Sequence, residues 1–136
     1  SKSGDILFPG STTTTGADLA KCSALMIDNV LLGGDIIILR SRKNLYNPIF
    51  VSYFLNSKRV KEIAGKTKGI TIHHLYGSDL SEIDVEFPSI EEQDNIAIVL
   101  CDIDEEIKAL KLKLKKYRQI QEGMMQQLLT GKIRLL

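Results

Sequence analysis

The sequence contains no tryptophan, only two cysteines and three prolines, and its apolar runs, such as Ile36 to Leu39, are far too short to span a bilayer. Cys22 and Cys101 stand alone, with neither the spacing of a zinc site nor that of a redox motif. No signal-peptide pattern is read, and together these features lead us to expect cytoplasmic, reducing surroundings. A net charge of +1 gives no global pull toward nucleic acid or membrane, so any nucleic-acid surface has to be a local patch. Also missing are a phosphate-binding glycine loop and a nucleophile motif. His73 and His74 are adjacent, so on a strand they point to opposite faces and cannot chelate one metal together. The expectation is a chain that performs no catalysis and holds no metal or cofactor.

What is present is a helix signature from Ser89 to about Leu129. Pro88-Ser89-Ile90-Glu91-Glu92-Gln93 opens it as an S-x-x-E capping box, no Pro or Gly interrupts it before Gly123, and Gly131 is placed to stop it. About 40 residues rising 1.5 Å each make a rod of roughly 60 Å. Ile96, Leu100, Ile103, Ile107, Leu110, Leu114, Tyr117, Gln121, Met124 and Leu128 alternate at steps of four and three, a heptad seam in which only Gln121 is polar. Apolar side chains at roughly 1.5–3 kcal/mol each on full burial require a partner.

The charges say how that partner lies. Glu91, Glu92, Asp94, Asp102, Asp104, Glu105 and Glu106 fill the first half of the rod; Lys108, Lys111, Lys113, Lys115, Lys116 and Arg118 fill the second. A parallel pair would set like charges side by side, whereas an antiparallel pair lays each acidic half along a basic one. The fold expected is therefore α+β: a small mixed head (1–87), one long helix (88–130) forming an antiparallel coiled coil with a partner, and a short tail (131–136).

In the head, Asp5 to Phe8 reads as a strand ended by Pro9-Gly10, followed by a polar loop of Thr12, Thr13 and Thr14. Leu25 to Leu32 reads as a strand with a turn, and Asp35 to Leu39 as a buried strand. Asn47-Pro48 starts a helix, with Asn as cap and Pro at the first helical position, that Gly65 closes. Ile70 to His73 and the strictly alternating Ile83 to Phe87 read as strands. One polar cluster stands out. Lys58, Arg59, Lys61, Lys66 and Lys68 can neutralise phosphates, and Thr71, His73 and His74 just beyond can reach base edges. The threonine loop is a second candidate contact. A solvated helix end is the plainer reading of the same bases.

Phe87-Pro88-Ser89-Ile90-Glu91-Glu92-Gln93, with Ile96-Ala97, Leu100, Ile103-Asp104 and Ile107, and the ending Met124 to Leu135 around Leu128-Leu129-Thr130-Gly131-Lys132, together resemble the C-terminal region of the specificity subunit of type I restriction-modification enzymes. Gly4 to Phe8 and Gly69 to Val85 are similar, more loosely, to the later part of a target recognition domain. The resemblance implies that the head contacts double-stranded DNA and that the helix is a spacer offering a docking surface to methyltransferase subunits. S-adenosylmethionine, ATP and magnesium would be bound by those partners. A complete subunit of this family has two recognition domains and two antiparallel helices. One of each is read here, which leads us to expect the tail of a subunit and a homodimer through the helix. Two other readings stay open: a coiled-coil protein whose head binds protein, and the specificity region of a single-chain restriction-methyltransferase.

Overall fold

The computed structural model describes residues 1–41 and 45–135; the last position of the expected tail lies outside the described residues. The chain divides into two compact units, Ser1–Ala97 and Ile98–Leu136.

The first unit is built on β1 (Ile6–Pro9), the middle strand of an antiparallel sheet. It pairs with β3 (Ser23–Ala24) on one side and β4 (Ile36–Leu39) on the other, with Ile6 opposite both Ala24 and Leu39. Alternation sends Ile6 and Phe8 into the core, where they are fully buried. The sequence predicts a buried strand at β4. Instead Ile37 and Leu39 pack against the core while Ile36 and Ile38 remain 37% and 42% exposed, because only one face of this small sheet is covered.

A second, two-stranded sheet joins β2 (Ser11–Thr12) to β5 (His73–His74). Helix α1 (Gly16–Leu19) follows the threonine loop. Helix α2 (Pro48–Phe54) starts as its sequence predicts: the Asn47 side-chain oxygen accepts from the Phe50 N–H at 3.0 Å, and Pro48 occupies the first turn, where no donor is needed. A π-helical turn over Leu55–Arg59 then leads into α3 (Val60–Gly65), which ends at the expected glycine. Leu55 and Ile63 from this stretch are core residues.

Three expected strands differ. Within 25–32 no strand forms; the chain turns at Asn29, whose φ is 60°, and Met26, Ile27 and Leu31 are exposed. Ile83–Phe87 alternates in sequence but has no ladder partner. Its periodicity reflects side-chain packing of an irregular segment, with Phe87 set edge-on to Phe50 and Phe54 at ring-centroid separations of 5.8 and 5.4 Å. The strand expected over 70–73 is confined to His73–His74.

Asp5 is wholly buried and held on three sides. Arg40 donates from Nε and Nη2 at 2.6 and 2.7 Å, and the Lys2 N–H donates at 2.7 Å. The Arg40 hydrogen bonds bring the carboxyl down from 3.8 to about 2, against the opposing effect of burial. A carboxyl whose folded value is depressed stabilises the fold above its ordinary value and loses that stabilisation as pH falls toward the folded one. Head stability measured by thermal unfolding should therefore fall between pH 3.8 and about 2, and this Asp5-dependent part of the decline should be missing in Asp5→Asn.

After β5 comes the short helix α4 (Gly77–Ser81), and the long helix α5 (Ile90–Leu129) is capped by Ser89, whose hydroxyl accepts from the Glu92 N–H at 3.3 Å. Its first turns belong to the head unit through buried Gln93 and Ala97. The Gln93 carboxamide accepts from the Asn47 N–H and donates to the Pro88 carbonyl, each at 2.9 Å, while Asn47 Nδ2 donates to Asp94 at 2.7 Å. The helix ends at Leu129, and the chain turns away at Gly131, whose φ of 72° suits a residue without Cβ.

Candidate nucleic-acid interface

The predicted contact residues fall into two groups. Thr12, Lys66, Lys68, Thr71, His73 and His74 come together around the β2–β5 pair, with Thr13 and Thr14 in the adjoining loop. Thr12 pairs with His73 and Ser11 with His74, and on the other side of β5 the backbones of Lys68 and His74 exchange hydrogen bonds at 2.9 and 2.7 Å. Tight packing draws the threonine loop in: a Cβ on Gly16 would lie 3.3 Å from the Ala64 carbonyl oxygen, close to the end of α3.

Between Lys68 and His74 the chain makes a closed loop. Gly69 has φ of +116°, and a Cβ there would sit 1.9 Å from the Ile72 carbonyl oxygen. No other residue fits. Gly69→Ala should force the loop open and cost about 1–3 kcal/mol of local strain. Faster amide hydrogen exchange at Lys68 and His74 is the readout.

Lys58 and Arg59 are separate from this cluster. Arg59 ion-pairs with Glu62 at 2.9 Å, donates to the Asp84 carbonyl at 3.0 Å and lies 5.9 Å from the Phe54 ring centre, so it ties the π turn to the 84–87 segment. Lys58 is exposed on the same turn.

The electrostatics are balanced rather than purely basic. Lys66 pairs with Glu82 at 2.8 Å and Lys68 with Asp79 at 2.9 Å; these hydrogen bonds raise both lysines above the usual value and hold Asp79 below its own. Asp18 accepts from the hydroxyls of Thr14 and Thr15 at 2.7 Å, which, with Lys21, lowers it to about 2. Each of these donors is therefore already engaged by a carboxylate. An ion-paired lysine offers an incoming anion a smaller gain than a free one.

Sequence reading missed Tyr76. Half exposed, it stacks on His74 with ring centres 6.2 Å apart and rings inclined by 19°, and Lys68 Nζ lies 5.6 Å from its centre. Its signal was its place two residues past His74, which puts it beside the same edge of the chain. Among the described residues, no group of three or more His, Cys, Asp or Glu side chains is placed to hold a metal, and no helix is long and apolar enough to cross a membrane. An apolar cavity of about 190 Å³ in the head is lined by Phe8, Val51, Leu55, Ile63, Leu80 and Phe87 among others, without converging polar groups.

In α5, the seam residues Ile103, Ile107, Leu110, Leu114, Tyr117 and Met124 are 41–57% exposed. Gln121 is exposed, Leu100 and Leu128 are half-buried, and Ile96 packs against the head core. Ile98, Val99, Leu112 and Ile120, outside the seam, are also exposed.

Residues 1–117 match the family model for the type I restriction modification DNA specificity domain. Two specificity subunits of Methanocaldococcus jannaschii, named for the type I restriction enzymes MjaX and MjaVIII, are each 26% identical to the chain, over 103 and 100 residues. The matched stretches cover 74% of this chain and 24% and 23% of those relatives, so the chain spans about a quarter of their length. With more than half of its residues matched, from the first strand into the long helix, this chain belongs to the family of type I restriction-modification DNA specificity domains.

Proposed function

We propose that the chain takes part in DNA sequence recognition within a type I restriction-modification specificity subunit. In this reading the β2–β5 patch contacts double-stranded DNA, α5 is a spacer, and methylation and cleavage are carried out by partner subunits. The observation that carries the reading is the family match, which runs through the patch and into α5. Lys66 and Lys68 contact phosphates; Thr71 and one of the two histidines, which lie on opposite faces of β5, face base edges, with Thr12 to Thr14 beside them. A fixed helix length then translates into a fixed number of base pairs between two half-sites.

Lys66→Ala with Lys68→Ala should weaken binding to all sequences alike. It should also reduce the slope of log affinity against log salt by about 1.8, from two lost phosphate contacts at about 0.9 each. Replacing Thr71, His73 and His74 should relax sequence preference instead. Binding and preference unchanged with all five residues replaced would move the DNA surface elsewhere on the head.

For α5 the reading is an antiparallel homodimer through the seam, supported by the exposed apolar side chains and by the division of acids and bases along the helix. Such a pair centres near Lys108 to Leu110 and sets Cys101 near Lys116 of the second copy. Mild oxidation should then give no Cys101–Cys101 crosslink.

A head that binds protein is the second reading, favoured by the bare sheet face of Ile36 and Ile38 and by the carboxylates already on Lys66 and Lys68. Absence of DNA binding by the head even with methyltransferase subunits present would select it.

A further inference from the structure

The loop between Lys68 and His74 carries an aliphatic side chain where physical chemistry would place a polar one. Ile70 is 95% exposed, and Ile72 beside it is 48% exposed. The loop is built rather than slack: two backbone hydrogen bonds close it, and the geometry at Gly69 admits no Cβ. A single exposed isoleucine needs no explanation. One held at the tip of a locked loop, next to Thr71 and close in sequence to the ion-paired Lys66 and Lys68, is different. Those lysines can pass from their carboxylates to phosphates, and an aliphatic tip suits the one apolar group that a DNA groove displays, the C5-methyl of thymine.

We propose that Ile70 is a specificity-determining residue that reads a thymine methyl group in the major groove. The inference rests on the DNA-recognition reading above and assigns to that surface an apolar contact beside its hydrogen-bonding ones. Thr71 and His73 supply donors and acceptors for base edges, which carry the same information for thymine as for uracil. Ile70 supplies the one contact that separates them. An exposed residue with no packing role can be changed without unfolding the head, so its replacement isolates the contact.

The test uses the chain assembled with its methyltransferase partner, on duplexes holding the sequence that the assembly methylates. Each thymine is replaced in turn by deoxyuridine, which removes only the methyl. Burial of one or two methyl-sized groups predicts that at one or two positions deoxyuridine weakens binding about three- to tenfold. Ile70→Ser should weaken binding to the thymine duplex by a similar factor and become indifferent to deoxyuridine at those positions. Ile70→Val should keep most of the discrimination.

The inference is overturned if Ile70→Ser binds as tightly and as selectively as the parent while Lys66→Ala or Thr71→Ala does not; the DNA surface then stands without it. Deoxyuridine sensitivity that persists unchanged in Ile70→Ser assigns the methyl contact to another residue. Loss of assembly with the methyltransferase partner in Ile70→Ser makes the loop a protein contact. Failure of the unaltered assembly to bind any duplex overturns the DNA reading itself, and this inference with it.

Discussion

Leu110→Glu should turn a self-associating chain into a monomer at micromolar concentration, read by light scattering. Leu110 lies at the proposed two-fold centre of the seam, so one substitution brings two carboxylates to the same apolar place. An unpaired polar group moved out of water costs roughly 2 kcal/mol or more, and a charge costs further. Two of them exceed 3 kcal/mol, which at about 1.4 kcal/mol per decade raises the dissociation constant more than about a hundredfold. Leu114→Glu, one seam position on, should act in the same direction. Lys113→Glu is the control: it changes charge by two but lies outside the seam, where an exposed pair is worth about 0–1 kcal/mol. Equal losses at Leu110 and Lys113 would show that the register is wrong. A monomeric parent chain would remove the homodimer altogether.

Gln93→Leu should destabilise the head more than any surface change. Gln93 is 1% exposed, and its carboxamide serves the Asn47 N–H and the Pro88 carbonyl at once. Leucine keeps most of the volume but leaves both backbone groups without their partner. At about 1–3 kcal/mol for each stranded group, the loss is about 2–6 kcal/mol. For a unit of this size that lowers the melting temperature by about 10 °C or more. Gln93→Glu separates the two halves of the contact: its carboxylate still accepts from Asn47 but cannot donate to Pro88, so it should also destabilise, and lowering the pH toward carboxyl protonation should recover part of the loss. Full stability in Gln93→Leu would mean that water serves those backbone groups equally well.

The two long helical stretches of this chain were the legible ones, because their signals are local; the short helices Gly16–Leu19 and Gly77–Ser81 were not read from the sequence. Ser89 as cap, a seam from Ile96 to Leu128 and Gly131 as stop define α5 without reference to anything outside it. Asn47-Pro48 and Gly65 do the same for the stretch of α2 and α3. The π turn between them left no sequence trace.

Strands depend on partners, and there the reading went astray. Ile83 to Phe87 has the right alternation and no neighbour to pair with, so its apolar residues pack as an irregular segment. Leu25 to Leu32 is apolar enough for a strand, but hydrogen bonds from Ser3 N–H to Asp28 and from Asn29 N–H to Ser1 O hold it in a turning path.

For the candidate interface, the order of residues placed Lys66 to His74 together. Only the pairing of β2 with β5 brings Thr12 to them, and nothing in the linear pattern shows that Glu82 and Asp79 sit on the two lysines. That charge balance is a property of the folded surface, invisible to a count of bases.

The two thiols differ in a way that gives the protein a built-in clock. Cys22 is buried, its N–H donates to Asn56, and burial pushes its thiol up to about 12, so it carries almost no reactive thiolate at neutral pH. Cys101 is partly exposed in α5. An alkylating reagent therefore marks Cys101 at the rate of an accessible thiol and marks Cys22 only while the head is open. The interval between first and second alkylation measures how often the domain opens, without denaturant and without any introduced label.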